Sequence, residues 1–503
     1  MLPYFLYLIC KNYFEGKKIH LYLQKFLKKI RKTMMEKITT SLRESKTMRW
    51  TALILVAFTM LTGYFISDVM SPLKPLVEAE LQWSSTEYGV FTGAYGWINV
   101  FCLMLILGGI ILDVAGIRFT CMLSASIMLI GTAIKYWAIS TPELNDHIVN
   151  FLFLHMRGQV FWASIGFAIF GVGVEMAGIT VSKTIVKWFK GKEMALAMGL
   201  EMATARIGSA LALIFAPLIA ESMGSVSKPI MFGLILLCIG FITFFIYTFM
   251  DKRLDESDGI TKDNKPASEF RIKSIGHILS NKAWWYIAIM CVLFYSAVFP
   301  FLKYASDLMV NKFNVDPSIA GIIPGILPFG TILLTPIFGN IYDRIGKGVT
   351  IMIIGSFLIT LVHLIFSIPG LHSVAIAVIL VVLLGIGFSL VPSAMWPSVA
   401  KIIPESELGT AYALIFWIQN WGLMGVPMLI GWVLDKYCIS GQIMRDGKLV
   451  NTYDYTLPMI IFAGLSAISI LFAFLLLAEN KRKNFSLQLP NIEEKIKEKQ
   501  EEN

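Results

Sequence analysis

The sequence predicts an all-α membrane protein of twelve transmembrane helices in two six-helix bundles, on three observations. The first is composition. Of 503 residues, 56% are hydrophobic and 15% charged, with a mean hydropathy of +0.69, whereas a soluble domain carries about 25% charged residues. The second is segmentation. Twelve apolar stretches fall near residues 50–70, 86–109, 119–140, 158–182, 194–219, 228–250, 284–306, 318–339, 348–369, 373–398, 407–434 and 456–478. A spanning helix needs about 20 such residues. The third is an internal repeat. Gly109, Asp113, Gly116 and Arg118 follow the second stretch, and Gly339, Asp343, Arg344 and Gly346 follow the eighth, 230 residues apart in both glycines and the aspartate. A motif repeated at the same place in each half predicts two parallel repeats about an axis along the membrane normal.

In chain order, residues 1–49 form a cytoplasmic leader. Met1–Cys10 is apolar but too short to span, and Lys11–Lys32 is basic with leucines interspersed, the pattern of a surface helix. The favoured alternative is that translation starts at Met34 or Met35 and the leader is a mis-annotated start. Residues 50–250 form the first six-helix bundle, 251–283 a polar cytoplasmic linker, 284–480 the second bundle and 481–503 a charged cytoplasmic tail. Prolines 300, 324, 328 and 336 are expected to kink the seventh and eighth spans.

Orientation follows from Lys and Arg. Clusters lie after the second, fourth, sixth and eighth stretches and at the end: Arg118; Lys187, Lys190 and Lys192; Lys252 to Lys282; Arg344 and Lys347; Lys481 to Lys483. The alternate loops hold fewer, such as Lys74, Lys228 and Lys312. By the positive-inside rule both termini are cytoplasmic. The expected location is a multi-pass bacterial inner membrane, with a lipid bilayer as surroundings and the monomer as the working unit.

Other classes drop out. The net charge of +9 sits in loops and ends, which is a topology signal and not a nucleic-acid surface. Six cysteines show no metal or disulfide spacing, and the six histidines form no ligand-spaced pair. No P-loop or other nucleotide motif occurs, so no metal, cofactor or nucleotide partner is expected, and the chain is not expected to be an enzyme.

The stretch from Gly171 to Ala210 reads as a helical hairpin. Its basic turn centres near Lys190, and Glu175 and Arg206 lie on opposite arms, each roughly 23 Å from that turn at helical rise. Two opposite charges at one depth in a bilayer mark a functional site by default.

The repeated loops resemble the signature of the major facilitator superfamily, whose fold is two six-helix halves around a central cavity. The resemblance implies that Asp113 and Asp343 latch onto neighbouring helix ends during gating, with the glycines permitting the turns. Val114 departs from the pattern, where a basic residue is usual.

A narrower resemblance covers most of the membrane region. The strings Tyr64-Phe65 with Asp68, Tyr95 to Asn99, Gly171-x-Gly173-x-Glu175, Trp188 to Glu193 and Ala205-Arg206-x-Gly208-Ser209 carry it in the first half. Tyr295 to Phe301, Trp396-Pro397, Pro404 to Tyr412 and Ile418-Gln419-Asn420 carry it in the second. It is similar to the animal lysosomal dipeptide uniporters, of which the chain looks like a bacterial-type relative. That resemblance implies a transporter of small peptides working by alternating access as a uniporter. It puts Glu175 and Arg206 at the two ends of a dipeptide.

A zwitterion suits such a pair, since a carboxylate accepts from an ammonium and a guanidinium fork donates to a carboxylate. The plain alternative is that Glu175 and Arg206 only neutralise each other, and Glu201 is a second acid that competes for Arg206 or pairs with Lys183. Tyr64, Tyr95, Trp97, Asn99, Tyr295, Phe299, Trp396, Gln419 and Asn420 complete the expected cavity lining. Singly, each is as readily a packing residue or interhelical glue. Two other functions stay open: an organic-anion or oxyanion exchanger built on Arg206, and a non-transporting membrane sensor or scaffold.

Overall fold

A computed structural model describes residues 42–151, 154–189, 192–258, 272–404, 407–445 and 447–490. The leader up to residue 41, the basic turn at Lys190, Lys262, Lys265 and Arg271 of the linker, and the tail beyond residue 490 lie outside the described residues. The protein is helical throughout its membrane region.

The first half begins with α1 (Lys46–Asp68), a 3-10 turn, α2 (Lys74–Glu80), α3 (Ser85–Gly93), a second 3-10 turn at Ala94–Gly96, and α4 (Trp97–Phe101). It continues with α5 (Met104–Ile139), α6 (Gly158–Phe189), α7 (Met194–Met223) and α8 (Ser227–Ser257). A short helix, α9 (Ile272–Ser280), precedes the second half: α10 (Lys282–Phe313), α11 (Ile322–Ile345), α12 (Gly348–Phe366), α13 (Val374–Ile402), α14 (Leu408–Tyr437) and α15 (Thr456–Lys483).

Among the described residues, eleven helices are long and apolar enough to cross a membrane. The second expected span, 86–109, is not one of them: it is broken into α3, a 3-10 turn, α4 and the start of α5, which runs on through the loop glycine Gly116. Leu103 takes a left-handed conformation at φ 52° between α4 and α5. The 3-10 turn and α4 lie against α6 and α14, whereas Phe101, Cys102 and Leu103 at the break itself are exposed.

Burial separates inner from outer helices. The spans from Gly158, Lys282 and Lys46 are buried over 72%, 67% and 61% of their apolar windows, against 33% for those from Ser227 and Thr456. The outer helices present Ile235, Phe249, Leu471 and Phe474 outward, as a lipid-facing surface requires.

Two antiparallel hairpins that the sequence did not announce complete the molecule: β1 (Ile148–Phe151) with β2 (Leu154–Arg157), and β3 (Ile439–Arg445) with β4 (Lys448–Tyr453). Their strands are only four to seven residues long, too short for a clear periodic pattern to reveal them. Both sit between helices at one end, called here the hairpin end.

The chain divides into two compact units, Met1–Ala52 with Phe249–Pro266, and Leu53–Thr248 with Ala267–Asn503. In the first, Arg43 pairs with Asp258 and the Leu42 amide donates to Ser257 Oγ at 3.2 Å. The second holds nearly all of both helical halves. At its hairpin end the two halves meet. Lys74 Nζ bonds both Glu78 and Asp307 at 2.7 Å, and Tyr455 donates to Asp307. The Ser85 and Thr86 amides donate to Asp435 at 3.1 and 2.6 Å. A Cβ on Gly89 would fall 2.6 Å from the Pro427 carbonyl oxygen, so only glycine lets α3 lie this close to α14.

A candidate substrate cavity between the halves

A cavity of about 230 Å³ opens between the two halves of the second unit. Its walls hold Tyr64 on α1, Tyr95 in the 3-10 turn at Ala94–Gly96, Glu175 on α6, Arg206 on α7, Tyr295 and Phe299 on α10, Trp396 on α13, and Gln419 and Asn420 on α14. Nine of the eleven expected lining residues therefore share one space. Trp97 and Asn99 are absent from its walls. Asn99 is fully buried, with Nδ2 donating to the Tyr95 carbonyl at 3.3 Å, because the 3-10 turn at Ala94–Gly96 rotates the following residues off the face that Tyr95 presents.

Glycines set the two charged walls. A Cβ on Gly171 would lie 2.4 Å from the Tyr95 carbonyl, so α6 touches the 3-10 turn backbone to backbone. One turn on, the Tyr95 hydroxyl donates to Glu175 Oε1 at 2.7 Å. A Cβ on Gly208 would lie 2.2 Å from the Leu61 carbonyl. The same close approach of α7 to α1 brings Arg206 over the Tyr64 ring, 5.9 Å from its centroid. From the other half, Phe299 and Phe388 cover the guanidinium at 5.3 and 5.4 Å, within cation–π range.

Among the described residues no salt bridge joins Glu175 to Arg206: the acid is held by a phenol and the guanidinium by rings. Mutual neutralisation, the plain alternative, is not how they are satisfied here. Glu201 is buried on α7, close enough to Arg206 to feel its charge, and Lys183 bonds Asp113 Oδ1 at 2.5 Å instead of Glu201. The rest of the wall is aromatic. Tyr295 stacks on Phe299 at 5.4 Å, and Trp396 packs on Phe416 at 4.8 Å. Gln419 accepts a weak hydrogen bond from Cys291 at 3.7 Å. Asn420 Nδ2 donates to its own helix at Phe416, which leaves its buried Oδ1 without a partner.

Sequence reasoning passed over Lys303 and left Asp68 outside the site. Both line the cavity, and they bond each other at 2.7 Å. The signal was present: Lys303 is an ionisable residue inside an apolar span, one turn after Pro300.

The repeated loops divide their glycines by role. Gly116 and Gly346 adopt φ 84° and 73°, and so make the turns. Gly109 and Gly339 sit within helices, and a Cβ on either would meet nothing within 4 Å. The turn therefore explains only the second glycine of each copy. Asp113 is tied to α6 through Lys183. Asp343 and Arg344 lie in the last turn of α11, and Arg344 is exposed. Arg118 follows the Gly116 turn.

The family model for the Major Facilitator Superfamily matches residues 52–427 and 305–498. The chain belongs to that superfamily. It is 28% identical to the lysosomal dipeptide transporter MFSD1 of Bos taurus over 402 residues, covering 77% of this chain and 80% of the relative. A probable nitrate transporter, NarT of Staphylococcus epidermidis, is 22% identical over 400 residues, covering 76% and 88%. Among solved structures, a bacterial homologue of the human lysosomal transporter Spinster, in an inward-facing and occupied conformation, superposes with a TM-score of 0.61 at 12% identity, covering 86% of this chain and 97% of the other. The protein is thus a major facilitator transporter that spans a membrane repeatedly, with a small molecule as its substrate.

Proposed function

We propose that this transporter moves dipeptides by alternating access, as a facilitative uniporter. One observation carries the reading. An acid and a guanidinium line the same cavity, each held by weaker partners and not bonded to the other. When a zwitterion arrives, Glu175 exchanges a phenol for an ammonium and Arg206 exchanges ring faces for a carboxylate, and each exchange sets opposite charges together. The aromatic wall from Tyr295 to Trp396 suits variable side chains, because it offers area without fixed polar partners. The relatives named as dipeptide transporters support the same substrate class.

The positive-inside pattern supports cytoplasmic termini and a hairpin end on the outside. With the halves locked at the hairpin end, the cavity faces inward, and the plasma membrane of a bacterium suits the topology. The loop aspartates Asp113 and Asp343 act in gating, and the monomer is the working unit. A second reading is favoured by the nitrate-transporter relative: Arg206 in its cradle would hold an oxyanion. Thermal denaturation of the purified protein separates the two. Dialanine and other dipeptides are expected to raise the melting temperature, while nitrate, oxalate and sugar phosphates leave it unchanged. A shift with anions alone overturns the peptide reading, and no flux of any solute in proteoliposomes would leave only a sensor.

A further inference from the structure

The cradle of Arg206 has a second layer one helical turn away, built from the same three helices. On α1, Tyr64 lies against Arg206, and Asp68 is four residues on. On α7, Ser209 follows Arg206 by three residues. On α10, Phe299 covers the guanidinium, and Lys303 is four residues on. Spacings of three and four put each pair on one helix face. The second layer closes on itself. Lys303 Nζ bonds Asp68 Oδ1 at 2.7 Å, the Ser67 carbonyl at 2.9 Å and Ser71 Oγ at 3.1 Å, which uses all three of its protons. Asp68 Oδ2 accepts from Ser209 Oγ at 2.5 Å. Lys303 belongs to the second half, and every partner it bonds belongs to the first.

We propose that Asp68, Lys303 and Ser209 form a latch that couples substrate binding at Arg206 to separation of the two halves at the hairpin end. The proposal rests on the dipeptide reading for its ligand but not for its geometry. In the empty cavity both layers hold α10 against α1 and α7, one through ring faces and one through an ion pair. A substrate carboxylate draws the guanidinium away from Phe299, which loosens the first layer and moves α7. Ser209 travels with α7, so Asp68 loses a donor just as the ring contact is lost. Opening then requires that Lys303 leave three acceptors at once, which slows opening when no substrate is bound. These are positioning residues: the ligand need not touch them.

The test places a cysteine at Ser85, which is buried where the halves meet at the hairpin end, in a full-length chain whose six cysteines are replaced by alanine. Labelling by a membrane-impermeant maleimide then reports opening. In the parent chain, dialanine is expected to raise the labelling rate about threefold or more. In Lys303→Gln and Ser209→Ala the basal rate rises by a similar factor and dialanine no longer changes it, while dialanine still stabilises Ser209→Ala thermally. Exchanging the charges, Asp68→Lys with Lys303→Asp, restores the low basal rate if the ion pair is the latch. Parent-like labelling in both single variants overturns the proposal. So does loss of dialanine stabilisation in Ser209→Ala, which would make that layer part of the binding surface. If dialanine neither stabilises the parent nor alters its labelling, the dipeptide reading fails by itself. Nitrate then replaces dialanine as the probe, and the basal rates still judge the latch.

Discussion

At the residue scale the proposed chemistry rests on the charged pair Glu175 and Arg206. Arg206 lines the cavity with three rings at 5.3, 5.4 and 5.9 Å from its guanidinium, weak contacts that a carboxylate replaces with a bidentate pair of hydrogen bonds. Losing a charge-assisted bond costs about 1.5–3 kcal/mol, roughly a tenfold to hundredfold loss of affinity. Arg206→Ala and Glu175→Gln are each expected to lose dipeptide uptake by at least that factor while inserting normally, as counterflow in proteoliposomes would show. Arg206→Lys should recover little, since an ammonium offers no bidentate fork. Normal uptake by either loss variant would leave the pair a structural feature. The sequence already held these two residues, because intramembrane charges stand out against an apolar background. It did not hold their partners. Tyr95 on Glu175 and Phe388 beside Arg206 depend on which helices touch, and that is set by close packing across the cavity, not by spacing along one segment.

At the scale of the element, glycine contacts fix how near the helices run. Gly208 against Leu61 and Gly171 against Tyr95 leave less than 2.5 Å for a Cβ, and the obstacle in each case is backbone. Gly208→Ala is expected to push α7 from α1 and cost about 1–3 kcal/mol, read as a lower melting temperature together with weaker dipeptide affinity, because Arg206 shifts with the helix. A destabilised variant with unchanged affinity would separate packing from the site. The second loop glycine acts differently. Gly346 holds φ 73°, and its Cβ would fall 2.5 Å from the Gln488 carbonyl. There residues 486–490 lie along the loop, with the Lys347 amide donating to Gln488 at 2.8 Å and Lys401 Nζ donating to Leu489 at 2.9 Å. Gly346→Ala should therefore release the tail as well as strain the turn, and faster proteolysis after Lys483 is the expected reading. The sequence made the turn legible through its repeated spacing. It gave no sign of the tail lying on it, because Ser486 to Pro490 carries no periodic pattern.

Across the whole molecule, alternating access depends on what joins the halves. At the hairpin end Lys74 is fully buried with Glu78 and Asp307, and Tyr453 reaches both Glu78 and Asp435 at 3.3 Å. Removing one member of a buried ion pair costs about 3–5 kcal/mol, because the remaining charges stay desolvated. In a transporter that penalty falls on the locked state alone, since opening lets water reach the same groups. Lys74→Met should thus shift the population toward a state open at the hairpin end without unfolding the protein. Its measure is labelling of a cysteine at Ser85, expected to rise at least about tenfold over the parent. The same experiment tests orientation. A cysteine at Ser440, on the exposed strand β3, should react from outside intact cells, and one at Lys347, in the opposite loop, only after the membrane is breached. If the two sites react from one side, the repeat that suggested parallel halves has been assigned to the wrong topology. If Ser440 reacts inside and Lys347 outside, the fold stands but the cavity faces the other way, and the Lys74 cluster becomes the cytoplasmic lock.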